Sequence, residues 1–271
     1  MRAIVTGANG GIGKAICSGL LAAGHSVIMV SRPSTGRTPF FEKMMEIYGE
    51  EKVSLLFVNL ADTESIRCGA RKLVDQGDPI DVVINNAGMM EKGLQIASNG
   101  FEMHAMVNCF GPALFTWGIR PLLRGGARII NTVSMTIWVG MIPDEYPKPM
   151  EKFNRFRRYS DSKLALQLLS FSLAKELYND GITVNCVDPG IVDTSIISLN
   201  NWLDPLVNML FRPLIRRPER GAATVLFLAI DKSVQGKTGG LYKDKRPKDV
   251  TRLELCSGAT KVWEIFNSLV G

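Results

Sequence analysis

Thr6-Gly-Ala-Asn-Gly-Gly-Ile-Gly13 follows the short apolar run Ala3–Thr6 and opens the helix-like stretch Ile12–Ala23. Strand, glycine-rich turn and helix in that order make a pyrophosphate-binding element. Glycines permit the tight turn and let the backbone approach a phosphate. The helix start adds unpaired N–H groups and a partial positive charge. Gly7, Gly11 and Gly13 are spaced Gly-x-x-x-Gly-x-Gly, with Asn9 and Ile12 inside the same turn. The pattern is one residue longer than the commoner dinucleotide fingerprint.

The alternation runs on from that turn. Strand-like runs at Ser26–Ser31, Val53–Val58, Val82–Asn85, Ala127–Val133 and Thr183–Val187 interleave with helix-like stretches. The latter lie at Pro39–Tyr48, Thr63–Asp75, Gly100–Leu123, Phe153–Tyr178 and Glu219–Ala229. The strand-like runs are short, β-branched and poor in polar residues, as in parallel strands buried on both faces. Repeated βαβ units with right-handed crossovers predict an α/β fold, a doubly wound, Rossmann-type parallel sheet with helices on both faces. The alternation never breaks, so a single domain over residues 1–271 is expected.

The residue that ends the second strand selects the cofactor. A dinucleotide fold that takes NAD usually carries an acid there, holding the ribose hydroxyls. This chain has Ser31-Arg32. An acid would repel a 2′-phosphate, whereas an arginine can bond it twice, so Arg32 predicts NADP(H). Lys14, just past the glycines, is a second candidate cation.

Tyr159-Ser-Asp-Ser-Lys163 falls within a helix-like stretch. Residues four apart share a helix face, so phenol and ammonium can point at one spot. A free phenol has a pKa of about 10. A nearby ammonium and an oxidised nicotinamide ring favour the phenolate and are expected to lower that value. Tyr159 could then give a proton to a carbonyl oxygen as hydride arrives, or take one in reverse.

Composition bounds the alternatives. Hydrophobic residues make up 46% and charged residues 21% of the chain, ordinary for a globular protein. The formal net charge is +6, with local clusters at Arg155–Arg158, Arg212–Arg220 and Lys243–Lys248. That suits an anionic cofactor or an acidic membrane surface; with no nucleic-acid motif, no nucleic acid is expected. Five cysteines, an odd number without CxxC spacing, argue against zinc or a disulfide framework and for a reducing compartment. The first strand leaves no room for a signal peptide, and no apolar run is long enough to span a bilayer, so the cytoplasm is expected. The two histidines, His25 and His104, lie in no nucleophile motif and read as packing or surface residues.

Taken together, Thr6–Gly13, Asn85-Asn-Ala-Gly88, Asn108, Ser134, Tyr159/Lys163 and Pro189-Gly190 resemble the short-chain dehydrogenase/reductase superfamily in order and spacing. Val107–Gly111, Arg128–Asn131 and Gly239–Tyr242 resemble its retinol-dehydrogenase-like branch. The resemblance implies that Tyr159 is the acid/base and that Ser134 bonds the substrate oxygen. It implies that Lys163 bonds the nicotinamide ribose, and that Asn108 holds a water linking Lys163 to solvent. Asn86, Ala87 and Gly88 would wall the cofactor, and Pro189, Gly190 and Thr194 would border the nicotinamide amide. Asn59-Leu60 would meet the adenine, although the family often has an acid where Asn59 stands. Asn131 reads as a strand-end structural residue. The resemblance also implies a homodimer through the helices that carry Asn108 and Tyr159.

Two segments, near 135–158 and 195–217, break the alternation and leave from strand ends, where a doubly wound sheet binds its ligand. The first holds Trp138, Met141, Ile142, Tyr146, Phe153 and Phe156, and the second runs apolar from Ile196 to Ile215. They predict a lid over a small hydrophobic carbonyl or alcohol. Trp202, Leu206, Met209 and Leu210 have amphipathic helix spacing, and with Arg212, Arg216 and Arg217 beyond them they also suit peripheral membrane contact. A non-catalytic NADP-binding regulatory protein, and an epimerase or dehydratase on the same fold, are the alternatives to a retinoid-, steroid- or xenobiotic-reducing oxidoreductase.

Overall fold

The computed structural model describes residues 1–149, 152–191 and 216–271 of the chain. The strands are β1 (Arg2–Thr6), β2 (Ser26–Ser31), β3 (Val53–Phe57), β4 (Ile80–Asn85), β5 (Leu123–Thr132), β6 (Thr183–Val187), β7 (Leu241–Lys243) and β8 (Arg246–Lys248). They form one sheet in the order β3-β2-β1-β4-β5-β6-β7-β8, and the only antiparallel pair among them is β7–β8. The winding reverses between β1 and β4, which are hydrogen-bonded neighbours. The carboxyl ends of these two strands therefore border the crevice in which such sheets bind ligands.

Side chains alternate through the sheet, and each face has its own core. Ile4 and Val83 pack beneath one helical layer; Ala3, Val5, Val82 and Ile84 pack beneath the other. The first layer contains α3 (Thr63–Gln76), α4 (Met103–Ala105), α5 (Gly111–Gly118), α6 (Arg155–Glu176) and, further along the chain, α9 (Gly258–Val270). The second contains α1 (Gly11–Ala22), α2 (Pro39–Tyr48) and α7 (Pro218–Ile230). A short helix, α8 (Thr251–Glu254), precedes α9.

The expected helix over Gly100–Leu123 is interrupted. Between α4 and α5 the chain makes a π turn, Met106–Phe110, that carries Asn108. Gly111 ends the turn against Leu60, whose carbonyl oxygen occupies the space a side chain would need. β7 and β8 escaped the sequence reading. They form a hairpin whose two turn residues, Asp244 and Lys245, both have positive φ, 51° and 62°, as a two-residue primed turn requires. Among the described residues, no helix is long and apolar enough to cross a membrane.

Candidate active site

The glycine turn closes on the loop after β4. Gly7 has φ +64°, and a Cβ there would stand 2.8 Å from the Cα of Ala87. A Cβ on Gly13 would collide with the carbonyl oxygen of Gly7. The Asn86 amide donates to the carbonyls of Thr6 and Gly7 at 3.2 and 3.3 Å, and the Ala87 N–H donates to Thr6 Oγ1 at 3.0 Å. Gly11, Ile12 and Gly13 open α1 with no side-chain cap and no acid in the first turn. Its orphan N–H groups therefore face the crevice mouth without a competing anion, a fit for a diphosphate. Asn9 accepts from Thr38 Oγ1 at 2.8 Å and ties the turn to the start of α2.

Arg32 is exposed, directly follows β2, and forms no ion pair among the described residues. Lys14 projects from α1 over the Phe40 ring, 5.7 Å from its centroid. Asn59 is tied into a turn: its Oδ1 accepts from Ala61 N at 3.1 Å and its N–H donates to Ser65 Oγ at 2.9 Å. Leu60 is buried in the core.

At the other end of the crevice, α6 starts at the cap Asn154, whose side chain accepts from Arg157 N at 2.9 Å. It presents Tyr159 and Lys163 on one face, with the Lys163 Nζ 5.9 Å from the Tyr159 ring centroid. Lys163 also donates to the carbonyl of Thr132, the last residue of β5, at 2.8 Å. Two residues on, Ser134 caps a single helical turn, Met135–Trp138, accepting from Thr136 N at 3.3 Å. The Ser134 hydroxyl lies close enough to the Tyr159 phenol to favour its ionised form. Gly88 lies against this group: a Cβ on it would stand 3.2 Å from Lys163 Nζ and 3.6 Å from Asn108 Oδ1.

Asn108 grips Met89 on both sides, accepting from its N–H at 2.8 Å and donating to its carbonyl at 3.0 Å. Its remaining amide hydrogen goes to Ser162 Oγ at 3.0 Å. Ser162 Oγ in turn donates to the carbonyl of Tyr159 at 2.7 Å. Both amide hydrogens of Asn108 are thus committed, and Oδ1 keeps one further lone pair for a donor.

The electrostatics differ from the sequence expectation. Desolvation pushes the Tyr159 phenol up to about 12, against the opposing effect of the nearby Ser134 hydroxyl. Burial pulls the Lys163 ammonium down to about 8. In the protein alone, desolvation outweighs the lowering that Lys163 was expected to exert on Tyr159. Tyr159 nevertheless stays partly open to solvent, as a proton donor must.

Pro189-Gly190 follows β6 directly. Gly190 has φ +78° and donates to Asp188 Oδ1 at 2.9 Å; a Cβ on it would stand 2.9 Å from the Nε of Arg216. Thr194 and the stretch Ile196–Ile215 lie outside the described residues. In the first of the two segments expected to form a lid, Trp138, Met141 and Phe156 are exposed. Tyr146, expected on the substrate wall, is instead buried, its ring 6.2 Å from that of Phe110. Asn131 is structural as expected: it joins Asn85 (2.8 Å) and Ser170 (2.7 Å) in a buried polar chain.

Sequence reasoning missed Asp161. It pairs with Arg158 at 2.6 Å inside the protein and accepts from Met141 N at 2.8 Å. Gly140 lies so close to α6 that a Cβ would stand 2.6 Å from the carbonyl of Ser160. These contacts press the chain after Ser134 against the turn of α6 that carries Tyr159. An acid two residues past the tyrosine reads as helix surface, and no local spacing marks it as buried.

A sequence model of the family described as short chain dehydrogenase matches residues 1–202. Human retinol dehydrogenase 12 is 29% identical over 99% of this chain and 85% of its own. Polyprenol dehydrogenase from Danio rerio is 31% identical over 99% of this chain and 86% of its own. Among solved structures, a short chain dehydrogenase from Burkholderia cenocepacia in complex with NADP superposes with a TM-score of 0.72. It is 24% identical and the match covers 89% of this chain and 95% of that one.

Proposed function

The chain belongs to the short-chain dehydrogenase family, and on that premise we propose that it reduces a hydrophobic carbonyl with NADPH, or oxidises the matching alcohol with NADP. The coarser part is plain: this is a hydride-transfer oxidoreductase that uses a nicotinamide dinucleotide. When bound, the cofactor supplies or accepts the hydride.

The observation that carries the reading is the convergence of Ser134, Tyr159 and Lys163 below Gly88. Ser134 donates to the substrate oxygen and steadies its developing charge. Tyr159 gives that oxygen its proton, and a phenol held near 12 is fully protonated at neutral pH, ready to act as an acid. Lys163, fixed to Thr132, keeps further donors for the nicotinamide ribose. Asn86 and Gly88 keep the cofactor channel open. Arg32 supports NADP(H) over NAD(H), since an exposed guanidinium at the end of β2 suits a 2′-phosphate.

The substrate class rests on the exposed apolar side chains of Trp138, Met141 and Phe156, and on relatives named for retinol and polyprenol, both long apolar alcohols. The odd number and wide spacing of the cysteines are what support a reducing compartment. The test is NADPH oxidation across retinaldehyde, polyprenals, steroid ketones and aromatic carbonyls. Stoichiometric consumption with a hydrophobic carbonyl is expected. Bound NADPH that is never consumed would instead fit a regulatory protein, an epimerase or a dehydratase.

A further inference from the structure

We propose that His104, clamped between the Glu102 carboxylate and the Glu91 N–H, is a positioning residue that sets the Met89–Glu91 backbone as the wall of the carbonyl site. The proposal rests on the reduction reading above and extends it to a residue outside the Ser134–Tyr159–Lys163 group.

The geometry determines the protonation of His104. Its Nδ1 lies 2.6 Å from Glu102 Oε1, and its Nε2 accepts the Glu91 N–H at 2.9 Å. A nitrogen that accepts a backbone N–H carries no proton, so the ring hydrogen sits on Nδ1 and is donated to the carboxylate. The other carboxylate oxygen accepts the N–H groups of His104 and Ala105 at 3.1 and 3.3 Å, capping α4. Glu102 thereby accepts three hydrogen bonds, and its own N–H is held by the carbonyl of Pro147 at 2.8 Å. Both side chains are buried. The Phe153 ring lies 6.0 Å from that of His104.

Three consecutive backbone units beside the site are held by three different side chains. Met89 is gripped by Asn108, and the Met90 carbonyl accepts from Arg155 Nη2 at 3.0 Å. The Glu91 N–H is taken by His104. Gly88, just before them, sits over Lys163, and Arg155 lies one helical turn before Tyr159. The segment thus runs from the ammonium of Lys163 to the guanidinium of Arg155, at the end of α6 that leads into Tyr159. His104 is the last anchor before the exposed stretch from Lys92 onward. Without its Nε2 the far end of the wall is free, and a half-buried N–H loses its acceptor.

His104→Asn retains a donor for Glu102 but brings no acceptor to Glu91, whereas His104→Gln can reach Glu91 with its carbonyl oxygen. Retinaldehyde reduction by NADPH should show KM raised about tenfold in His104→Asn, the order of one hydrogen bond. Its kcat and its NADPH affinity should stay near wild type, and His104→Gln should recover most of the loss. Amide exchange at Met89–Glu91 should quicken in His104→Asn and slow again in His104→Gln, whether or not any carbonyl is turned over. Equal impairment of the two variants, or none in either, overturns the proposal; so does a loss confined to NADPH affinity. If neither variant folds, long-range 15N spectra of the wild type decide: a neutral ring protonated on Nδ1 at pH 7 is expected. An imidazolium or an Nε2–H tautomer overturns it. A failed carbonyl screen with the expected tautomer and exchange pattern would reject the reduction reading alone.

Discussion

Lys163 donates to the carbonyl oxygen of Thr132 at 2.8 Å, so the strand that leads to Ser134 also anchors the ammonium beneath Gly88. The anchor satisfies one of the three ammonium hydrogens, and burial still lowers the pKa from 10.5 to about 8. Between those two values the unfolded chain holds a proton that the folded chain has released. Stability from this group therefore rises with pH across that window. Tyr159 has the opposite sign, since its folded value of about 12 lies above its ordinary 10.0. The buried thiols of Cys17, Cys109 and Cys186, pushed up from 9.0, oppose it as well. Urea midpoints of the wild type alone would mix these terms, so the difference between wild type and Lys163→Met is the useful quantity. The wild type should gain on Lys163→Met from about pH 8 to about pH 9.5, by at most roughly 1.4 kcal/mol per pH unit. A difference that stays flat would show that Lys163 is not desolvated as its burial implies.

Arg32 should decide cofactor choice. Arg32→Asp removes the cation at the end of β2 and adds a repulsion against a 2′-phosphate. NADPH affinity should fall about tenfold or more, and NADH affinity should hold or improve. Titrating both cofactors by fluorescence checks this. Unchanged NADPH affinity in the variant would assign phosphate recognition elsewhere, with Lys14 the next residue to change.

The parts of this molecule that follow local rules were legible before any coordinates. Thr6–Gly13 and Tyr159/Lys163 carry their chemistry in short fixed spacings, and strands β2 and β6 match their apolar runs, Ser26–Ser31 and Thr183–Val187, residue for residue. What stayed hidden depends on distant contacts. β7 and β8 are only three residues each and rich in charge, and they exist because Cys186 and Val187 of β6 pair with Leu241 and Tyr242. The π turn at Asn108 answers to the carbonyl of Leu60, 51 positions before Gly111. His104 and Asp161 read as ordinary polar residues because their partners, Glu91 and Met141, are backbone groups brought in by the fold. The C-terminal helix was overlooked although Val262 and Phe266, four apart and fully buried, carried a helical signal.

That helix bears on assembly. α9 packs on α6, and its Phe266 meets Trp117 of α5 edge to face at 5.8 Å. Lys261 fastens it further, donating to the carbonyl of Pro143 at 2.8 Å. The expected homodimer was to use the helices that carry Asn108 and Tyr159, and the chain's own α9 already packs against α5 and α6. We therefore expect a monomer by light scattering at micromolar concentration. A stable dimer whose interface, mapped by crosslinking, includes α5 and α6 would mean that α9 gives way on association.

Tyr159→Phe should abolish turnover and leave NADPH binding nearly intact. The ring keeps its place on α6 beside Lys163, and only the hydroxyl near Ser134 is removed. Losing a positioned general acid costs about 10²–10⁴ in rate. Ser134→Ala should slow reduction without changing cofactor affinity, because its proposed partner is the substrate oxygen. Its helical turn would lose one cap bond, the contact from Thr136 N, so a small drop in stability should accompany the loss of rate. Lys163→Ala should weaken NADPH binding and turnover together, since the same ammonium is proposed to hold the ribose. Each variant needs two measurements, a dissociation constant for NADPH and a reduction rate on one accepted carbonyl. If Tyr159→Phe keeps most of its rate, the phenol is not the proton donor. The acid would then have to be sought among the other groups that reach the substrate oxygen, beginning with Ser134.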